Sequence, residues 1–165
     1  YILHAGMGVL RAQGVASAMI DGGGDLAVMG RPTHKPWRIG VRDPCAPERL
    51  LGMVELREGY VVSSGDYERY FMRDGRRYHH ILDPRTGYPT EGPRGVTLVA
   101  SDLETVNGLS AAIMVVGMEK GRRLIMEASG LEGIIVGRDG EVWLSAGMRL
   151  LPPPGEDGRG FDLHQ

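Results

Sequence analysis

An α+β fold, built as an antiparallel sheet covered on one face by helices, is predicted for this chain from three observations. Short apolar runs follow one another through tight Gly- and Asp-containing turns. The clearest of these turns, Asp74-Gly75 and Asp139-Gly140, are two-residue hairpin signals. Apart from an opening helix, the helical patterns fall in one block, residues 102–129, instead of alternating with strands.

The elements read in order as follows. Ile2 to Gln13 carries apolar residues at Ile2, Leu3, Val9 and Leu10 and stops at Gly14, where a C-cap residue is expected, so it reads as a helix. Ala18 to Ile20 is a short strand ending in Asp21 and three glycines, which let the backbone approach a partner closely. More strand follows at Leu26 to Met29, so a P-loop, which requires a helix after the glycines, is disfavoured. Trp37 to Arg42, Gly52 to Leu56 and Tyr60 to Ser63 are further strands between Pro- and Gly-rich loops. Tyr67 to Met72 and Arg76 to Leu82 form the hairpin about Asp74-Gly75. Val96 to Ala100 is a strand. Asp102 to Val116 reads as one helix, with Asp102 as N-cap and Gly117 as stop, and Met118 to Ser129 as a second closed by Gly130. Strands Gly133 to Val136 and Val142 to Ser145 complete the pattern.

The 165 residues are 42% hydrophobic and 24% charged, enough for one globular domain with a core, assigned to residues 1–150. The tail, 151–165, is rich in Pro and Gly with few large apolar residues, and disorder is expected there. A net charge of −2 with scattered Lys and Arg gives no nucleic-acid surface; Arg73, Arg76 and Arg77, interrupted by Asp74, read as a solvated hairpin tip. No apolar run is long enough to span a membrane. The single Cys45 excludes an intrachain disulfide and a Cys-built metal site.

The chemistry-bearing stretch runs from Val62 to Pro89. Ser63, Ser64, Gly65, Asp66 and Tyr67 lead to Tyr78, His79, His80, Ile81, Leu82, Asp83, Pro84, Arg85, Thr86, Gly87, Tyr88 and Pro89. Piece by piece it is also ordinary: Asp83 to Gly87 makes a tight turn and Ser64 to Asp66 a connection. Two histidines, an aspartate, an arginine and a Thr-Gly turn together have the composition of a phosphate-handling wall.

The string from Ser64 to Pro89 closely resembles the signature of the ApbE family, flavin transferases that act on FAD. Asp21 to Leu26 and Trp37 to Pro44 resemble the family's Gly-Gly-Asp strand end and Pro-Trp-x-Ile-Gly strand, and the likeness continues through Val96 to Gly117. The resemblance implies a T-fold-related antiparallel sheet with helices. It also implies a reaction in which FMN passes from FAD to a Ser or Thr hydroxyl of an acceptor protein, with release of AMP. His80, at the family's histidine position, is the candidate base or orienting group, since its ordinary pKa lies near neutrality. Asp25, Ser64, Gly65, Asp66, His80, Leu82, Asp83 and Thr86 are the expected flavin-side residues. Asp25 is ligand or turn; Asp83 orients His80, meets flavin, or caps the turn. Arg85 reads as surface charge, and strand alternation sends His79 to the face opposite His80, as a solvent-facing residue.

The family's Mg²⁺ motif places Asp and Thr at i and i+4 of a helix start. Here the corresponding run is Val106 to Ala112, with Asn107 for the Asp and Ala111 for the Thr; Ser110, at i+3 from Asn107, offers a hydroxyl instead. The chain opens Tyr1-Ile2-Leu3-His4 and resembles a C-terminal portion, so a missing N-terminal part is expected to supply flavin and adenine contacts and one backbone metal ligand. The resemblance further implies an acceptor flavoprotein subunit of a redox complex as partner. The implied location is periplasmic or cell-envelope, with a lipid anchor, and the cytoplasm is the alternative. A flavin-binding relative without catalysis, or a scaffold that keeps only the fold, are the competing readings.

Overall fold

The computed structural model describes residues 1–32 and 34–153. Helix α1 (Ile2–Ala12) is followed by β1 (Ala18–Asp21), β2 (Leu26–Met29), β3 (Trp37–Arg42), β4 (Leu50–Leu56), β5 (Gly59–Gly65), β6 (Tyr70–Arg73), β7 (Arg76–His79) and β8 (Gly95–Ala100). Three helices, α2 (Leu103–Val106), α3 (Leu109–Val116) and α4 (Met118–Glu127), precede β9 (Leu131–Val136) and β10 (Val142–Leu144). The expected α+β class is borne out. The main sheet has six strands in the order β1-β2-β5-β8-β9-β10, every neighbouring pair antiparallel. The strands β3–β4 and β6–β7 leave it as separate two-stranded ladders.

Alternation along the central strands sorts side chains between two layers. Ala27, Met29, Tyr60, Val62, Val96, Leu98 and Ile135 pack with α1, α3 and α4 in one core. Val28, Val61, Ile134 and Val136 face the other way and pack on Ile39, Val41 and Val54 of the β3–β4 ladder. Helices therefore cover one face, as the sequence predicts, and a β-ribbon covers the second.

Two expectations need correction. The continuous helix from Asp102 to Val116 is broken: Asp102 caps α2 by accepting from the Thr105 N–H at 3.1 Å, but the chain turns extended at Asn107 (φ −62°, ψ 113°). Gly108, at φ +75°, then takes a left-handed conformation cheap only for glycine, and α3 begins anew. The hairpin strands are also shorter than read, with Tyr67 in the turn before β6 and β7 ending at His79. Of the tail assigned to 151–165, Leu151 pairs with Met53, its N–H donating at 2.8 Å; residues 154–165 lie outside the described residues.

Candidate active site

The parity of β5 decides where its serines point. Ser64 follows Tyr60 and Val62 onto the helix face, where its hydroxyl lies 2.8 Å from that of the buried Ser110 at the start of α3. Ser63 points to the opposite face and meets the Thr97 hydroxyl at 3.0 Å. A buried hydroxyl pair of this kind contributes about 1 kcal/mol net, and it fixes β5 against α3. Gly65 is required for packing, since a Cβ there would lie 2.3 Å from the Tyr67 ring. Asp66 is buried, and Arg77 across the hairpin donates to it at 2.8 Å. Arg77 is only partly buried, but losing it would leave the buried Asp66 carboxylate unpaired, which is the costly direction. Arg77 also lies over the Tyr70 ring at 4.4 Å, so it is a packed residue and not part of a solvated tip.

The two histidines take opposite environments, and the reverse of those expected. His79 is buried: its Nε2 donates to the Thr90 carbonyl at 3.1 Å, while Nδ1 is buried with no partner among the described residues. Burial pushes the His79 pKa below its ordinary value, only partly offset by the Thr90 hydrogen bond, and keeps the ring neutral. His80 is exposed. Its backbone N–H donates to the Arg69 carbonyl at 3.1 Å, and its Nδ1 lies 3.4 Å from the same oxygen. A carbonyl only accepts, so in that contact the ring donates from Nδ1. His80 and Leu82 line a cavity of about 530 Å³ whose walls include Tyr70, Phe71, Tyr78 and Tyr88, with Phe71 stacked on Tyr78 at 5.1 Å between centroids.

The turn after Leu82 is closed by its own groups. The N–H groups of Thr86 and Gly87 donate to the Asp83 carbonyl, and Thr86 Oγ1 accepts from the Tyr88 N–H at 3.2 Å. Arg85 grips the Asp83 carboxylate with two nitrogens, at 3.0 and 2.7 Å. These bonds, with that from the Arg85 N–H, hold the Asp83 carboxyl at a pKa of about 2. Arg85 is exposed, as expected for a surface charge, yet its fork is spent on Asp83. Asp83 and Thr86 line a second cavity of about 570 Å³ that shares Tyr88 and Pro89 with the first. Asp25 is both turn and side-chain contact: its carbonyl accepts from the Gly22 N–H at 2.8 Å, and burial raises its carboxyl pKa against a hydrogen bond from the Ser63 backbone.

The residues suggested for a divalent cation do not form a site. Asn107 sits at the extended break between helices, so the i, i+4 geometry assumed for it and Ala111 is absent. Ala111 carries no donor, and the Ser110 hydroxyl is buried and engaged by Ser64. Among the described residues no group of three or more His, Cys, Asp or Glu is gathered for metal binding.

One residue that the motifs did not bring forward is central. Thr90 is buried; its hydroxyl donates to the Met114 carbonyl of α3 at 2.8 Å and accepts from the Gly92 N–H, while its carbonyl holds His79. Gly92 packs so closely that a Cβ would lie 1.9 Å from the same Met114 carbonyl. A threonine shortly after a Pro in a loop carries little signal by itself; only the nonlocal contact with α3 reveals it.

Residues 1–135, most of the chain, match the profile of the ApbE family. The chain belongs to the ApbE family. A curated relative, the FAD:protein FMN transferase of Klebsiella pneumoniae (strain 342), is 34% identical over 160 residues, covering 96% of this chain and 49% of the relative. The corresponding protein of Treponema pallidum (strain Nichols) is 34% identical over 151 residues, 85% of this chain and 42% of the relative. Among solved ApbE structures, that from Thermotoga maritima matches with a TM-score of 0.72 at 36% identity, over 87% of this chain and 50% of the other. The flavinyl transferase ApbE of Pseudomonas stutzeri matches with a TM-score of 0.71 at 37% identity, over 87% and 46%. The chain thus spans about half the length of the ApbE relatives it matches.

Proposed function

We propose that this chain is part of an FAD:protein FMN transferase, which moves FMN from FAD to a Ser or Thr hydroxyl of an acceptor protein and releases AMP. The observation that carries the reading is the motif from Ser64 to Pro89 folded as one rigid wall, with His80 presented outward beside the Asp83–Gly87 turn. In the reaction the acceptor oxygen forms a bond to the FMN phosphorus, the pyrophosphate bond breaks, and AMP leaves. His80, exposed beside that turn, is the residue proposed to take the hydroxyl proton. Ser64, Gly65, Leu82, Asp83 and Thr86 are proposed to shape the flavin side, with Asp25 at the sheet end and Asp66 holding the hairpin through Arg77.

The Mg²⁺ that the family resemblance implies is not provided for by Asn107, Ser110 and Ala111, and no step is assigned to it. That mismatch favours one second reading, a relative that binds FAD or FMN without transferring it. Among the described residues no helix is long and apolar enough to cross a membrane. The acceptor as a redox-complex subunit and the cell-envelope location remain part of the proposal.

The test is incubation of the full-length protein with FAD, Mg²⁺ and a Thr-bearing acceptor, followed by intact-mass spectrometry and an assay for AMP. The transferase reading expects an FMN-sized mass increase with AMP release. FAD retained intact, in chelator as well as in Mg²⁺, with no adduct on either of two acceptors, would replace it with the binding reading.

A further inference from the structure

A third cavity, of about 510 Å³, meets the His80 cavity only at Pro89 and adjoins the Asp83–Thr86 cavity, with which it shares Arg76, Pro89, Thr90 and Glu91. Four guanidinium groups, Arg76, Arg77, Arg94 and Arg138, line it together with two carboxylates, Asp66 and Glu91. Both carboxylates are committed, Asp66 to Arg77 at 2.8 Å and Glu91 to Arg76 at 3.2 Å. Among the described residues Arg94 and Arg138 have no carboxylate partner, so the cavity carries an excess of positive charge in a protein of net charge −2.

The walls are fixed before any ligand arrives. The Asp66 N–H donates to the Arg94 carbonyl at 3.0 Å and the Arg94 N–H to the Val136 carbonyl at 2.8 Å, tying the end of β5, the entry to β8 and the end of β9 together. The Arg138 Nε donates to the Glu91 and Gly92 carbonyls at 3.0 and 3.2 Å and one terminal nitrogen donates to the Thr90 carbonyl at 3.4 Å, which fixes the guanidinium and leaves its other terminal nitrogen without a hydrogen bond among the described residues. The Arg94 Nε reaches the Arg138 carbonyl at 3.4 Å, while its two terminal nitrogens make no hydrogen bond among the described residues. Oriented guanidinium forks are matched to planar or tetrahedral oxyanions, and a fork held in place loses less entropy on binding. The overall negative charge argues against a polyanion such as nucleic acid and for a small anion.

We propose that this cavity is a phosphate-binding site, separate from the His80 site, in which Arg94 and Arg138 grip the oxyanion. Its volume admits free phosphate or the phosphate of a nucleoside monophosphate. The inference does not rest on FMN transfer; its test uses only the FAD binding that the transferase and binding readings share.

The experiment is calorimetric titration of the full-length protein, saturated with FAD, with inorganic phosphate and separately with AMP in chloride buffer of constant ionic strength. Saturable binding is expected, weakened at least about tenfold in Arg94→Gln, as for loss of charge-assisted hydrogen bonds, and partly restored in Arg94→Lys. AMP binding much tighter than phosphate identifies a nucleotide site; equal affinities identify a phosphate site. Binding of neither probe, or Arg94→Gln binding as tightly as the unmodified protein, overturns the proposal. So does phosphate that binds only when FAD is withheld. Should Arg94→Gln not fold, Arg94→Lys alone decides, since it keeps the charge and loses the fork: a weakened affinity supports the site and an unchanged one refutes it.

Discussion

The hairpin and loop from Ser64 to Gly92 and the helical stretch from Asp102 to Val116 face each other across one hydrogen-bonded seam, yet they carry the family pattern very differently. In the first, three side chains of the stretch are tied down: Asp66 by Arg77, His79 by Thr90, Asp83 by Arg85. In the second, Asn107 and Ala111 are parted by Gly108, which breaks the helix between them. The seam itself, Ser64 to Ser110 and Thr90 to Met114, is intact. Packing between the regions is held by backbone carbonyls and small hydroxyls, and does not depend on the side chains at 107 and 111.

The largest effect is expected on the retained side. His80→Ala should lower FMN transfer by about 10²–10⁴-fold, the usual worth of a general base, with flavin affinity, read by fluorescence quenching, little changed. Transfer at the unmodified rate would remove His80 from the chemistry and leave this wall a binding surface only. Next, Asn107→Asp with Ala111→Thr restores a carboxylate and a hydroxyl to the altered side. With the helix broken at Gly108 between the two positions, calorimetry should report no gain in Mg²⁺ affinity, although hard cations prefer charged oxygen. A gain would mean that the side chains, and not the Gly108 break, separate the two regions.

The smallest change is electrostatic. Arg85→Ala should move the Asp83 pKa from about 2 back toward the ordinary carboxylate value, near 4, as followed by carbon-detected NMR titration. The depressed pKa means that Asp83 contributes stability above its unfolded value, and that this is lost as pH falls toward about 2. In Arg85→Ala that acid-side loss should shrink to the part owed to the Arg85 backbone N–H. An Asp83 pKa that stays put in the variant would assign its depression to the turn's backbone alone.

Much of this was readable locally. Alternation along β5 separates Ser63 from Ser64, and the Asp74-Gly75 turn closes the hairpin at Arg73 and Arg76 as two-residue turns do. The helix break was less so: apolar spacing continues across Asn107 and Gly108, while the left-handed φ at Gly108 depends on how α2 and α3 dock on the sheet. Alternation likewise places His79 and His80 on opposite sides without saying which side is inside. That is settled by Thr90, eleven residues beyond His79 and fastened to α3, a long-range contact with no periodic trace. The departure of β3–β4 from the main sheet is nonlocal in the same sense, since the ribbon exists to bury Val28, Val61 and Ile134 on the face that helices leave open.

Thr90 joins the hairpin, the loop and α3 through one hydroxyl and one carbonyl, with Gly92 seated directly on α3 beside it. Moving the loop alone would break all of these bonds together, so this wall has no hinge of its own. A ligand using this side would therefore meet a surface already fixed at His79, Thr90 and Gly92.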